Sequence, residues 1–302
     1  MGIFYRSPFW LPAGCRVAAL AFFLCLSCAT QNSAEMAQKL SPGTVKFFLP
    51  SIISGAERKL AKTPGDWKLS LEAGSYCIMN ANAFIQGPAS MLPPGDYQKR
   101  DKEYRRAKKE YLRGVTHLRS AWGAKYPGIN EAFGTAGFKR FLDSLSKDDV
   151  EMLYWLVAGT MAAFSLDPFD VTLSIKLPEL SALILRAYEL QPDWNNGTLD
   201  DFFILFYGAL PADMGGDKNK AKIHYERALK KAAGRSAGPY VSWAEAICVP
   251  AQNYSEFKQN LDAALAIDPD AYPPLRLNNI ITQRKARYLL DSAKYKFIDI
   301  EE

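Results

Sequence analysis

The stretch TLDDFFILFYGALPADMGGDKNKAKIHYERALKKAA, Thr198 to Ala233, decides the fold. Its first half is apolar almost all round, through Phe202, Phe203, Ile204, Leu205, Phe206, Tyr207, Ala209 and Leu210. A helix of that kind is buried on more than one side. Thr198 followed three residues later by Asp201 reads as a shortened capping box and sets the helix start. Gly215-Gly216-Asp217 supplies a stop that tolerates positive φ, then an N-cap for a second helix. That second helix sets Ala221, Tyr225, Ala228 and Leu229 on one face and lysines on the other. Small, aromatic, small at spacings of four and three lets two helix backbones approach closely around one large side chain. The Gly-Gly-Asp-Lys run lacks the spacing of a phosphate-cradling loop and has no strand before it, so turn chemistry accounts for it.

The same grammar recurs along the chain. Ala107, Tyr111 and Gly114 repeat the spacing on a charged helix expected over Asp96 to Trp122. Before it, Asp66 to Gln86 reads as a long helix that Pro88, Pro93, Pro94 and Gly95 break. Tyr126 to Gly137 is glycine-rich and reads as a loop before a short helix around Phe138 to Leu145. Ser146 with Asp149 forms an acid-type capping box that launches Val150 to Leu166, where Trp155, Ala158 and Gly159 resemble the Trp-x-x-Leu-Gly signature of a tetratricopeptide (TPR) first helix. Pro168 ends that helix, and Leu177 to Leu190 is its partner. Pro239 to Pro269 gives a further pair, with Trp243, Ala244, Ile247 and Cys248 in the first helix and an Asn253/Glu256 capping box before the second. Val45 to Leu60 and Leu275 to Phe297 read as capping helices. The expected fold class is all-α, a TPR-like solenoid of helical hairpins, about four repeats plus caps, spanning 45–302.

The N-terminus is a processing segment. Arg6 and Arg16 form a positive region, and the apolar run Val17 to Leu26 is too short to span a membrane as a mature helix. It closes on Cys25-Leu26-Ser27-Cys28, which resembles a bacterial lipobox, although Cys25 and Leu26 stand where Leu and a smaller residue are usual. Residues 1–27 are therefore expected to be a lipoprotein signal peptide, Cys28 the lipidated residue and 28–44 a tether. Several acyl chains on one residue anchor stably, where one alone binds reversibly. An ordinary secretory signal is the alternative. Cys77 and Cys248 then remain in an oxidising compartment, where one disulfide is possible. Each also sits in an apolar helical run, where buried free cysteine is common.

Net charge is +5, of which Arg6 and Arg16 belong to the signal; the remainder is too mild and too interleaved with acids to indicate nucleic acid. The only two histidines, His117 and His224, have no carboxylate or cysteine at local ligand spacing, so neither a metal site nor a cofactor is indicated. No nucleophile elbow is present, and the Asp148-Asp149 and Asp200-Asp201 pairs fall at helix starts, where the dipole favours acids. Catalysis is not indicated. Aromatic and amide residues on the first helices and their loops form the candidate ligand or partner surface: Tyr154, Trp155, Trp194, Asn195, Phe203, Phe206, Tyr207, Trp243, Asn278 and Asn279. Inter-repeat core is the competing reading for each.

The lipobox, the Asp66–Gln86 helix, the Tyr154-Trp155 helix and the run Gly-Gly-Asp-Lys-x-Lys-Ala-x-x-His-Tyr-Glu-Arg-Ala-Leu together resemble the TatT component of TPR-protein-associated TRAP transporters. The resemblance implies a periplasmic lipoprotein, a homotrimer, that associates with a TRAP-type substrate-binding protein. It further implies a pore or cleft that takes hydrophobic or organic-acid ligands. The alternative function is a TPR scaffold lipoprotein of envelope or outer-membrane protein assembly.

Overall fold

The computed structural model describes residues 40–298 apart from Phe133; the signal segment and Cys28 lie outside the described residues. The described chain is helical, with no strand among the described residues. Helix α1 (Pro42–Leu60) is capped by Ser41, whose hydroxyl accepts from the Thr44 N–H. Helix α2 (Trp67–Asn80) is capped by Asp66 and runs on as a π-helix over Ala81–Gln86. Helix α3 (Tyr97–Lys125) lies against it. Helix α4 (Ala136–Ser144) bridges to α5 (Val150–Leu166) and α6 (Leu177–Leu190). The opening stretch forms α7 (Thr198–Ala209) and α8 (Lys218–Ala232). Helix α9 (Gly238–Trp243) continues as a second π-helix, Ala244–Cys248, and is followed by α10 (Tyr254–Ala266) and α11 (Arg276–Asp291).

The pairs α2/α3, α5/α6, α7/α8 and α9/α10 each pack as neighbours. Small residues sit where helices cross most closely. A Cβ on Gly114 would lie 2.7 Å from the Gly74 carbonyl oxygen, and one on Gly159 would lie 2.4 Å from the Ile78 side chain. Ala107, Tyr111, Ala221 and Ala228 are fully buried or nearly so. Their spacing does what the sequence predicted, bringing backbones together around large side chains. The array also closes on itself. Leu277 and Ile281 of α11 pack into a cluster with Val45, Leu49 and Ile53 of α1 and Phe84 of the first π-helix. Arg276 donates to the Leu40 carbonyl at 3.3 Å.

Two local expectations need correction, and one open alternative is settled. Pro88 does not break the second helix: in the wider π register, the Gly87 N–H reaches the Asn82 carbonyl, and helical backbone carries on through Ser90. The start of α7 is not capped by Thr198. Asn195, Asn196 and Gly197 all adopt positive φ, Gly197 stands at the N-cap, and the Thr198 hydroxyl donates to the Asn195 carbonyl. Cys77 and Cys248 form no disulfide; both are free and buried. Elsewhere the caps hold: Ser146/Asp149 is a full capping box, and Asp217 and Asn253 cap α8 and α10.

Candidate functional site

Helices from every pair, with α11, bring polar side chains into the otherwise apolar interior. From the first π-helix, Gln86 accepts from the Tyr111 hydroxyl of α3 at 2.5 Å. Tyr111 is within electrostatic range of Tyr154 on α5, and Tyr154 of Asp201 on α7. The Asp201 carboxyl is bonded by the Ser242 hydroxyl of α9 and feels the Lys285 ammonium of α11. Lys285 in turn pairs with Glu245 of the second π-helix at 2.5 Å. The polar seam so drawn has a π-helix at each end; its bonded links are Tyr111 to Gln86, Ser242 to Asp201 and Lys285 to Glu245, and the links through Tyr154 are electrostatic rather than contacts.

Asp201 is the unusual member. Its Oδ1 is buried and has no hydrogen-bond partner among the described residues. A Cβ on Gly238 would lie 2.3 Å from its Oδ2, so only glycine at 238 leaves room for the carboxyl. Burial pushes Asp201 up to about 6, against the pull of Ser242 and Lys285 and with the Asp200 charge adding to the rise. Burial likewise raises the Tyr154 phenol, yet Tyr154 and Asp201 each keep part of their surface accessible.

Phe202, next in the chain after Asp201, belongs to an aromatic wall. Tyr154 meets Trp155, Trp194 and Phe202 at ring-centroid distances of 5.2, 4.9 and 6.3 Å, and all four rings are half-buried. The candidate surface residues therefore divide. Tyr154, Trp155 and Trp194 come together in the wall. Phe203, Phe206 and Tyr207 are buried behind Phe202, which lies 5.9 Å from Phe203 and 6.0 Å from Phe206 and so joins them to the wall, and Phe203 stacks on His224 at 4.6 Å. Trp243 stacks on Tyr225 and donates from Nε1 to Glu256 at 2.7 Å, a core role. Asn279 is fully buried and ties α11 to the segment before α9, accepting from the Ala237 N–H and donating to the Arg235 carbonyl. Asn195 and Asn278 are exposed and away from the aromatic contacts.

His224 belongs to an ion network rather than to a ligand site. Its Nδ1 lies 2.7 Å from Asp200 Oδ1, while Lys231 and Tyr188 reach the same carboxylate at 2.7 and 2.9 Å. Burial alone would raise Asp200, but these three donors hold it below its ordinary value. Sequence reasoning grouped Asp200 and Asp201 as a dipole-favoured pair. It missed that successive residues on one helix turn point into different surroundings. Gln86, Tyr111, Ser242, Glu245 and Lys285 were missed too, each an isolated polar residue that only tertiary convergence makes meaningful.

The family model of the TAtT, the TRAP transporter T-component, matches residues 41–297. The chain belongs to the TRAP transporter T-component family. The match runs from the cap of α1 to beyond α11, so the aromatic wall and the closure between first and last helices both lie inside it. This is a family of transporter components, not of enzymes. A protein of Treponema pallidum (strain Nichols), described as an uncharacterized protein, is 32% identical over 254 residues, covering 83% of this chain and 79% of the relative. No helix among the described residues of this T-component is long and apolar enough to cross a membrane.

Proposed function

We propose that this T-component is the periplasmic accessory subunit of a TRAP-type transport system, held to a membrane by lipid on Cys28. It binds the system's substrate-binding protein and takes a hydrophobic or organic-acid ligand into a recess beside Tyr154, Trp155 and Trp194. Its four hairpins are read as divergent TPR-type repeats, and its working form as a homotrimer. The observation that carries this reading is the family match over 41–297. The aromatic wall and the unpartnered Asp201 oxygen support the ligand part, since together they offer an apolar body and one polar recognition point.

The test is co-purification with the cognate substrate-binding protein, followed by native mass spectrometry of the complex. The expected result is a stable complex whose T-component arrives as a trimer with a small molecule bound. Trp194→Ala with Tyr154→Ala is expected to empty the recess and leave the partner bound. A monomer that captures neither partner nor ligand overturns the reading. Labelling with a palmitate analogue tests the anchor separately, and label that persists in Cys28→Ala sinks it.

A further inference from the structure

Where α1, α2 and α3 meet, three helices bring together donor atoms that no local spacing in the sequence brings together. Glu57 of α1, Cys77 of α2 and His117 of α3 each offer one ligand atom, and these atoms all lie within 4.8 Å of one another. We propose that Glu57, Cys77 and His117 form a binding site for a soft divalent transition ion, zinc in the first instance.

The donor set argues for the class of ion. A thiolate and an imidazole select zinc-like metals, whereas magnesium and calcium take oxygen donors alone. Tetrahedral ligands at about 2.0–2.3 Å from zinc stand roughly 3.3–3.6 Å apart, so donors standing as far apart as the 4.8 Å limit would draw in by about 1 Å, while Glu57 Oε1 and His117 Nε2, now 2.9 Å apart, open slightly to admit the ion. The scaffold is stiff. Cys77 sits one turn beyond Gly74, where α2 and α3 approach so closely that a Cβ on Gly114 would lie 3.0 Å from the Cys77 Cβ. The ion enters from outside, because Glu57 and His117 are partly exposed while the thiol behind them is buried.

Charge also balances. Glu57 and Glu110 face a single fixed cation, Arg113, which forks onto Glu57 and also bonds Glu110 at 3.3 and 3.2 Å. The group thus carries one uncompensated carboxylate. Zinc would enter between Glu57 Oε1 and His117 Nε2, now 2.9 Å apart, leaving Arg113 to Glu110. The Cys77 S–H bond breaks as the S–Zn bond forms, and the proton leaves to solvent. Two positive charges then meet three anions and Arg113, and the sum is zero. A solvent molecule completes the tetrahedron, as in zinc sites with three protein ligands.

The test uses the full-length chain without an affinity tag, titrated with cobalt(II) and then zinc under a non-chelating reductant. Expected are visible bands of a tetrahedral cobalt site together with a thiolate-to-cobalt charge-transfer band, at one ion per chain, displaced by zinc. Cys77→Ser should remove the charge-transfer band, and His117→Gln should weaken zinc binding by about a hundredfold or more. Cys248→Ser should leave both unchanged. Because His117 is on the rim, its variant keeps the question open to test even if Cys77→Ser fails to fold. Absence of the thiolate band in the folded wild-type chain, or zinc binding unaltered in His117→Gln, overturns the site.

Discussion

Asp200 and Asp201 are adjacent, yet their environments push their proton affinities apart. Asp200 is a fully buried carboxylate with His224, Lys231 and Tyr188 around it, whose hydrogen bonds outweigh the cost of burial. Asp201 has a hydroxyl, a more distant ammonium and one bare oxygen. Its carboxyl titrates at about 6 in the fold, against 3.8 ordinarily. Between those values the native state binds more protons than the unfolded chain, so stability falls as pH rises through the window and is level above it. Asp201→Asn removes that dependence. It should raise stability at pH 7 by about 2–3 kcal/mol, two pH units at the standard conversion, and change little near pH 4. Urea unfolding of both proteins at the two pH values checks this, and equal stability at pH 7 would show that the carboxyl ionises freely. The opposite sign holds for Asp200 and for Asp149, which Lys125, Ser146 and Tyr126 hold below the ordinary value despite burial. Their contribution is complete above about pH 4 and is lost on acidification through the depressed values. Asp200→Ala, which leaves Lys231 and His224 without their carboxylate, should cost on the order of 3–5 kcal/mol at pH 7.

At the scale of the element, the α7–α8 turn separates two uses of glycine. Gly215 has φ +99 and open space around the position of a Cβ. Alanine there meets only backbone strain, about 1–2 kcal/mol. Gly216 has ordinary φ, but a Cβ would stand 1.8 Å from the Leu210 carbonyl oxygen and 3.0 Å from that of Pro211. Backbone has to move to admit it, and the Asp217 N–H bond to the Tyr207 carbonyl goes with the movement. Gly216→Ala should therefore lower the melting temperature clearly more than Gly215→Ala does, and the reverse order would refute the packing argument. The two helices and the Asp217 cap were legible in the sequence because caps and amphipathic faces are local. The role of Gly216 was not, since the obstructing carbonyl is placed by the turn itself. Pro88 was misread for a related reason. A proline stops an α register, but nothing local announces that the helix has already widened to a π register at Ala81–Gln86.

For the whole molecule, the sequence revealed the helix pairs but not how their ends meet. Hydrophobic periodicity marks which face of α1 is buried; it does not say that Leu277, more than two hundred residues later, is part of what covers it. The same blindness hid the polar seam and the Glu57–Cys77–His117 group, both of which depend on helices distant in sequence. Closure has a mechanical consequence. In an open solenoid each unit touches only its neighbours, so a weakened end frays alone. Here α11 packs on α1 through Leu277 and Ile281, and α1 packs on α2. Leu277→Ala removes a nearly buried side chain at that seam and should cost about 2–4 kcal/mol. If the array is closed, amide exchange should quicken in α1, around Val45 to Ala56, as well as in α11, while α5 and α6 keep their protection. Faster exchange confined to α11 would mean that the two ends touch without supporting each other. The coupling reaches Asp201 as well, because α11 carries Lys285, whose ammonium acts on the Asp201 carboxyl. Leu277→Ala, by loosening α11, should therefore also shift the titration of Asp201 from about 6, and an unchanged value would mean that the end of α11 near Lys285 does not feel the seam.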